Sequence, residues 1–260
     1  MIHCKTKYTT NKHHKLTVML NKKTINILSV LAISLFTFAC TNAQNNGYNT
    51  EPVKEVLTKE KQDALTPQAV LEGLKAGNER FVNNNLTPRD YQAQVAATAA
   101  GQYPEAVIIS CLDSRVPVEQ VFDKGVGDIF VGRIAGNNVN TDMLGSIEFG
   151  TAVAGSKVVI VMGHESCGAV KSAIDDVQVG NITALLSNIK PAIEMTNEFE
   201  GDQSNANADY VTEVVNNNVR HTIEEMRKNS PIIAELERNG DILIAGAFYD
   251  LDTGKVTFID

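Results

Sequence analysis

Apolar positions change period several times along the chain, and each change predicts an element. At Thr66-Pro67 a helix start is well set, with threonine as N-cap and proline at the first helical position. Val70, Leu71, Leu74 and Phe81 then recur at helical spacing. From Glu105 onward, short apolar runs alternate with helical stretches. Ala106-Val107-Ile108-Ile109 predicts a buried strand ending at Ser110-Cys111, and Asp128-Ile129-Phe130-Val131 predicts a second. Lys157 to Met162 predicts a third, closing at Gly163-His164. Asp241 to Phe248 reads as the last long strand, and Asp252-Thr253-Gly254-Lys255 turns it into Val256-Thr257-Phe258. Helices are expected over Met143 to Val153, from Cys167-Gly168, over Ile182 to Phe199, over Tyr210 to Asn229, and from Ser230-Pro231 to Asn239-Gly240. Near-continuous apolar strands separated by helices predict an α/β fold with a parallel sheet covered on both faces. No internal boundary divides residues 66–260, which read as one domain.

The first part of the chain follows a different pattern. Residues 1–50 carry six lysines and no acidic residue, and between Lys23 and Cys40 lies an apolar run, Ile25 to Ala39. A cationic start, a short apolar segment and small residues after it predict an export leader over residues 1–40, too short for a comfortable membrane span. Met19 stands at ordinary spacing ahead of Lys22-Lys23, making residues 1–18 a candidate start-site extension and taking His3, Cys4, His13 and His14 out of any site. Thr37-Phe38-Ala39-Cys40 is similar to a bacterial lipoprotein signal, in which Cys40 is lipidated and anchors the protein to a membrane. Cleavage after Ala43, giving a soluble periplasmic protein, is the open alternative. The polar residues 41–65 read as a tether.

The formal net charge of −8 conceals this division. Without the leader's lysines, 17 basic and 31 acidic side chains give the rest a formal −14. That balance argues against nucleic acid as a partner, because phosphate neutralisation needs clustered lysine and arginine. Four cysteines in 260 residues are too few for a disulfide scaffold.

Function in parallel α/β sheets gathers at the carboxyl ends of strands. Two expected strands end in Cys111 and His164, and Cys167 follows on the turn into a helix. Two thiolates and an imidazole suit tetrahedral zinc, with the fourth position open in a catalytic site. Taken alone, the two cysteines are equally compatible with small buried side chains or with a disulfide.

Cys111-Leu112-Asp113-Ser114-Arg115 and the later His164-Glu165-Ser166-Cys167-Gly168 together resemble the signature pair of the β-class carbonic anhydrases. The resemblance runs from Gln102 to the Tyr249-Asp250…Thr253-Gly254 hairpin. It implies a sheet of four parallel strands with an added edge strand. It also implies a zinc ion held by Cys111, His164 and Cys167, with Asp113 and Arg115 as a catalytic dyad. The reaction implied is reversible hydration of carbon dioxide to bicarbonate and a proton through a zinc-held hydroxide. Asp113 would accept the hydroxide's hydrogen bond, and Arg115 would keep Asp113 ionised. Gln102, Phe130 and the backbone N–H of Gly168 fall on the family's substrate-binding positions.

The resemblance further implies at least a homodimer, because family pockets borrow residues across the subunit interface. Two positions depart from the family pattern. Phe149 stands where tyrosine is frequent, and Ile108 stands where some members carry a tryptophan of a second, inhibitory bicarbonate site. Competing readings are a carbonyl sulfide or carbon disulfide hydrolase on the same scaffold, and a non-catalytic zinc or anion-binding protein closed by Asp113. A thiol-redox pair fits poorly, because redox motifs place their cysteines a few residues apart. His221, in the Tyr210 to Asn229 helix, is read as a surface histidine rather than a proton shuttle.

Overall fold

The computed structural model describes residues 51–259. In chain order the elements are α1 (Lys59–Asp63), α2 (Pro67–Val82), α3 (Tyr91–Thr98), β1 (Ala106–Ser110), α4 (Val118–Val121), β2 (Ile129–Arg133) and α5 (Thr141–Glu148). After a π-helical turn (Phe149–Val153) come β3 (Val158–His164), α6 (Gly168–Ile174), α7 (Gly180–Ser187), α8 (Lys190–Glu194), α9 (Ala208–Asn229), α10 (Pro231–Arg238), β4 (Leu243–Tyr249) and β5 (Val256–Ile259). The strands form one sheet in the order β2-β1-β3-β4-β5. The first four pair in parallel, and β5 joins β4 antiparallel at the edge, as expected.

The central strands β1 and β3 are buried at every residue, which is why they read as unbroken apolar runs. Alternate residues serve opposite faces. Ala106 and Ile108 pack with Leu74 of α2 and Phe122 after α4. Val107 and Ile109 pack with Ile147 of α5, Val219 and Met226 of α9, and Ile233 of α10. At the carboxyl end of the sheet a third cluster gathers Cys111 and Cys167 with Val170, Leu186, Ile189 and Val214. Helix α9 lies close on the sheet because β3 and β4 carry glycine beneath it. A Cβ on Gly163 would stand 2.6 Å from Val215, and one on Gly246 would stand 3.0 Å from Val219. No helix among the described residues is long and apolar enough to cross a membrane.

Three local expectations change. The helix expected over Ile182 to Phe199 is two helices, α7 and α8, because Pro191 has no N–H to give and its ring crowds the preceding turn. The helix expected over Met143 to Val153 starts at Thr141, capped by Asn140 bonding Met143 N at 2.9 Å, and widens to a π turn after Glu148. Residues 51–65, expected as part of a tether, are docked on the domain. Val53 bridges Arg89, and Gln62 is fully buried, its Nε2 donating to the carbonyls of Pro104 at 2.8 Å and Ala154 at 2.9 Å. The leader (1–40), Cys40 and tether residues 41–50 lie outside the described residues.

Candidate metal centre

Neighbouring parallel strands bring the site together. Ser110, the last residue of β1, is the register partner of Met162 in β3, so Cys111 leaves the sheet beside Gly163-His164. Cys167 reaches the same point as the N-cap of α6, after a tight turn in which Ser166 adopts φ 53°. That turn is tied down at both ends. Glu165 N donates to Tyr249 O at 2.9 Å, the Glu165 carboxylate accepts from Leu251 N at 3.0 Å, and Lys171 Nζ donates to Ser166 Oγ at 3.0 Å.

The donor atoms of Cys111, His164 and Cys167 all lie within 4.8 Å of one another, and all three residues are buried. Both cysteines are free thiols, with Sγ atoms 3.9 Å apart. Two sulfurs held tetrahedrally by one zinc at about 2.3 Å stand about 3.8 Å apart, so the spacing already fits the ion. His164 Nδ1 lies 2.8 Å from the carbonyl oxygen of Glu165, a contact that requires the proton on Nδ1. Its Nε2 is then a lone-pair donor, and it has no hydrogen-bond partner although the side chain is 1% exposed. An orphaned buried acceptor costs about 1–3 kcal/mol, which metal coordination removes. The donor set, its spacing and this orphan fit zinc.

The two thiols share one negative charge. The Cys167 thiol hydrogen-bonds the Cys111 sulfur and outweighs the burial that opposes ionisation, holding Cys111 well below the usual thiol range. The Gly136 N–H, 3.4 Å from Sγ, acts in the same direction. The same contact holds the Cys167 proton in place and pushes that thiol up, with burial adding to the effect. A cation entering the site displaces this last proton.

Asp113 stands at the rim. Arg115 grips it with a planar fork, Nε to Oδ1 at 2.9 Å and Nη2 to Oδ2 at 2.7 Å, and its backbone N–H also reaches Oδ1 at 2.9 Å. Arg115 thereby holds the Asp113 carboxyl well below the usual carboxylate range. Oδ1 has both lone pairs engaged, whereas Oδ2 accepts once from Arg115 and lies 3.8 Å from His164 Nε2. The unused lone pair of Oδ2 therefore sits beside the metal cluster.

The other expected site residues divide. Gly168, exposed, is the first residue of α6, next to Cys167, with open space around its Cα. Phe130 is not at the cluster within one chain. It pairs with Val107, four residues before Cys111 and so about 13 Å away along the strand. Gln102 is exposed and precedes β1, at the end of the strand away from Cys111. Phe130 instead lines a cavity of about 590 Å³ at the β2 edge, with Val107, Ile109, Met143 and Phe149. Phe149 is 55% exposed there. Ile108 is fully buried in the core, and half-buried His221 lines a separate pocket with Asn138 and Thr222.

Three supports of the site were not legible in the sequence. Gly136 donates to Cys111 Sγ from a left-handed turn with φ 77°. Asn218 of α9 donates to Gly136 O at 2.7 Å. Arg133, ending β2, bonds the carbonyls of Cys111 and Asp113. In the sequence, Gly136-Asn137 is a turn signal and no more, and no motif or period marks the other two.

A family model described as carbonic anhydrase matches residues 106–256. Carbonic anhydrase 2 of Mycobacterium tuberculosis is 34% identical over 200 residues, which cover 75% of this chain and 93% of that protein. Among solved structures, the β-carbonic anhydrase CcaA matches with a TM-score of 0.60 at 23% identity, covering 74% of this chain and 87% of that one. A tetrameric β-carbonic anhydrase of Sordaria macrospora matches with a TM-score of 0.58 at 24% identity, covering 74% and 95%. Both solved structures share the fold.

Proposed function

The chain belongs to the β-class carbonic anhydrase family, and on that premise we propose how its own residues carry the reaction, how copies assemble and where the protein works. The reaction is the reversible hydration of carbon dioxide to bicarbonate and a proton, with zinc as cofactor. Cys111, His164 and Cys167 would hold the zinc, which when bound would lower the pKa of water towards neutrality, an effect for which carbonic anhydrases are the usual example.

Asp113 aims the nucleophile. Ionised by Arg115, its carboxylate is acceptor-only, so the free lone pair of Oδ2 would accept an O–H hydrogen bond at the metal position and orient that oxygen towards the substrate carbon. Engagement with Arg115 also keeps Asp113 from closing the site as a ligand. The Gly168 N–H receives an oxygen of the bicarbonate as it forms. The apolar cluster around both cysteines keeps the site dry and the thiolates desolvated.

Gln102, Phe130 and Phe149 act across an interface between two copies, one copy's residues completing the other's pocket. Their distance from their own cluster and the exposed apolar cavity at the β2 edge support this reading. The tetrameric assembly of the Sordaria macrospora relative is in keeping with it. The cationic, apolar start of the chain supports export to the periplasm, with Cys40 as a lipid anchor. Mass spectrometry of the mature N-terminus tests the anchor.

The observation that carries the catalytic reading is the meeting of three buried metal donors with the free side of Asp113 Oδ2, 3.8 Å from His164 Nε2. Asp113→Asn tests it, because an amide keeps the shape but puts an N–H donor in place of one of the two acceptor oxygens. Zinc content is expected to hold while kcat falls about 100-fold, in the range for a misplaced positioning group. Rates near wild type would remove Asp113 from the mechanism.

A further inference from the structure

The backbone ladder between β1 and β2 ends where the site begins. Ile134 N donates to Ser110 O at 3.1 Å, and beyond that bond β1 runs on as the loop carrying Cys111, Asp113 and Arg115. Arg133, the last residue of β2, extends the pairing with its side chain. Its Nε donates to the Cys111 carbonyl at 3.0 Å, and its Nη2 donates to the Asp113 carbonyl. One rigid guanidinium thus spans the carbonyls of the two residues on either side of Leu112.

Leu112 does not hold the loop itself. It is 66% exposed, so packing contributes little between the ligand and the carboxylate. Yet the aim of the Cys111 sulfur and of the Asp113 carboxylate depends on the backbone angles of residues 111–113. Arg115 binds the Asp113 carboxylate from within the same loop, so it sets the carboxylate against the loop and not the loop against the sheet. Among the described hydrogen bonds, Gly136 N reaches the Cys111 sulfur from just after β2, while the loop's backbone carbonyls at Cys111 and Asp113 are fixed to β2 through Arg133.

The geometry points to Arg133 as a positioning residue for catalysis: it clamps the Cys111 and Asp113 carbonyls, so that metal ligand and dyad carboxylate keep one fixed relation. This inference rests on the carbonic anhydrase reading of the same site. A lysine in its place keeps the charge but cannot bridge both carbonyls, because the ammonium is a point donor and the guanidinium a planar fork.

The test uses the full-length, zinc-loaded protein as wild type, Arg133→Lys and Arg133→Ala. Three readouts apply: zinc release to a chromogenic chelator, kcat and KM for carbon dioxide hydration, and both again with guanidinium chloride at tens of millimolar. Sodium chloride at equal ionic strength is the control. Both variants are expected to release zinc about 10–100-fold faster and to lose kcat by a similar factor with KM little changed, the usual cost of losing a partner behind a metal ligand. Arg133 is exposed, so the guanidinium ion can enter the space left in Arg133→Ala. It should recover several-fold in both readouts where sodium chloride does not.

Zinc release and kcat within about twofold of wild type in either variant would overturn the proposal. So would a loss in Arg133→Ala that guanidinium does not relieve. If Arg133→Ala fails to fold, Arg133→Lys alone decides. Wild-type hydration activity in the same assay tests the underlying function separately, because zinc release is read whether or not turnover occurs.

Discussion

Gly136→Ala probes the link between the fold and the metal centre. The residue sits at φ 77°, a left-handed conformation that costs an alanine about 1–2 kcal/mol. The space is occupied as well. A Cβ there would stand 2.6 Å from Ile189 Cδ1, 3.3 Å from Ile189 Cγ1 and 3.5 Å from Ala169 Cβ. Ile189 is fully buried, so its side chain has little room to retreat, and overpacking of this kind costs about 1–3 kcal/mol. The sum, about 2–5 kcal/mol, corresponds to a Tm lower by roughly 5–15 °C for a domain of this size. Relief by backbone movement carries the Gly136 N–H away from Cys111 Sγ and presses on Ala169, two residues after Cys167. Zinc release should therefore accelerate about 10-fold or more. Gly180→Ala is the control, because Gly180 also has a positive φ of 46° but open space around it. It should show the strain alone, a Tm loss of a few degrees with unchanged zinc release. Equal Tm losses and equal zinc release in the two variants would refute the claim that this turn is packed against the metal centre.

Two further outcomes follow from the structure. Burial pushes the Asp123 carboxyl up, but hydrogen bonds from Arg89, Thr87 and Arg80 outweigh it and leave the group below its usual range. A depressed carboxylate contributes stability fully above its unfolded pKa of about 3.9 and loses it as pH falls through the lower folded value. Chemical denaturation from pH 7 to 3 should show wild type weakening only below about pH 4, and Asp123→Asn losing about 3 kcal/mol at neutral pH with a flatter acid limb, because it strands the nearly buried Arg89. Mixing subunits tests the shared pocket. Gln102→Ala and His164→Ala proteins, each impaired alone, should regain about a quarter of wild-type sites after dissociation and random reassociation, because each mixed dimer restores one of its two sites. No regain, with mixed dimers demonstrated, would place Gln102 at its own subunit's site or at none.

The strands and the three metal donors were legible because both depend on local pattern. A strand buried on two faces is an apolar run, and Cys111 and His164 end two such runs that the sheet order makes neighbours. The docking of residues 51–65 was not legible, since the residue that fastens it, Gln62, is polar and is buried by bonding two distant carbonyls. The supports of the site escaped for the same reason. Arg133, Gly136 and Asn218 act on backbone groups and a sulfur through contacts that leave no hydrophobic period. Gln102 and Phe130 were found through resemblance, and a single chain leaves them away from the cluster.

Carbon dioxide hydration by the full-length protein, followed by stopped flow from about pH 6 to 9 alongside zinc content, tests the reading most directly. Zinc bound through Cys111, His164 and Cys167 should accompany hydration well above the buffer rate. Chelation should abolish both and re-added zinc restore both, while Cys167→Ser should lose zinc and activity together. A protein that holds its full complement of zinc and hydrates carbon dioxide no faster than buffer at any pH in that range would contradict it.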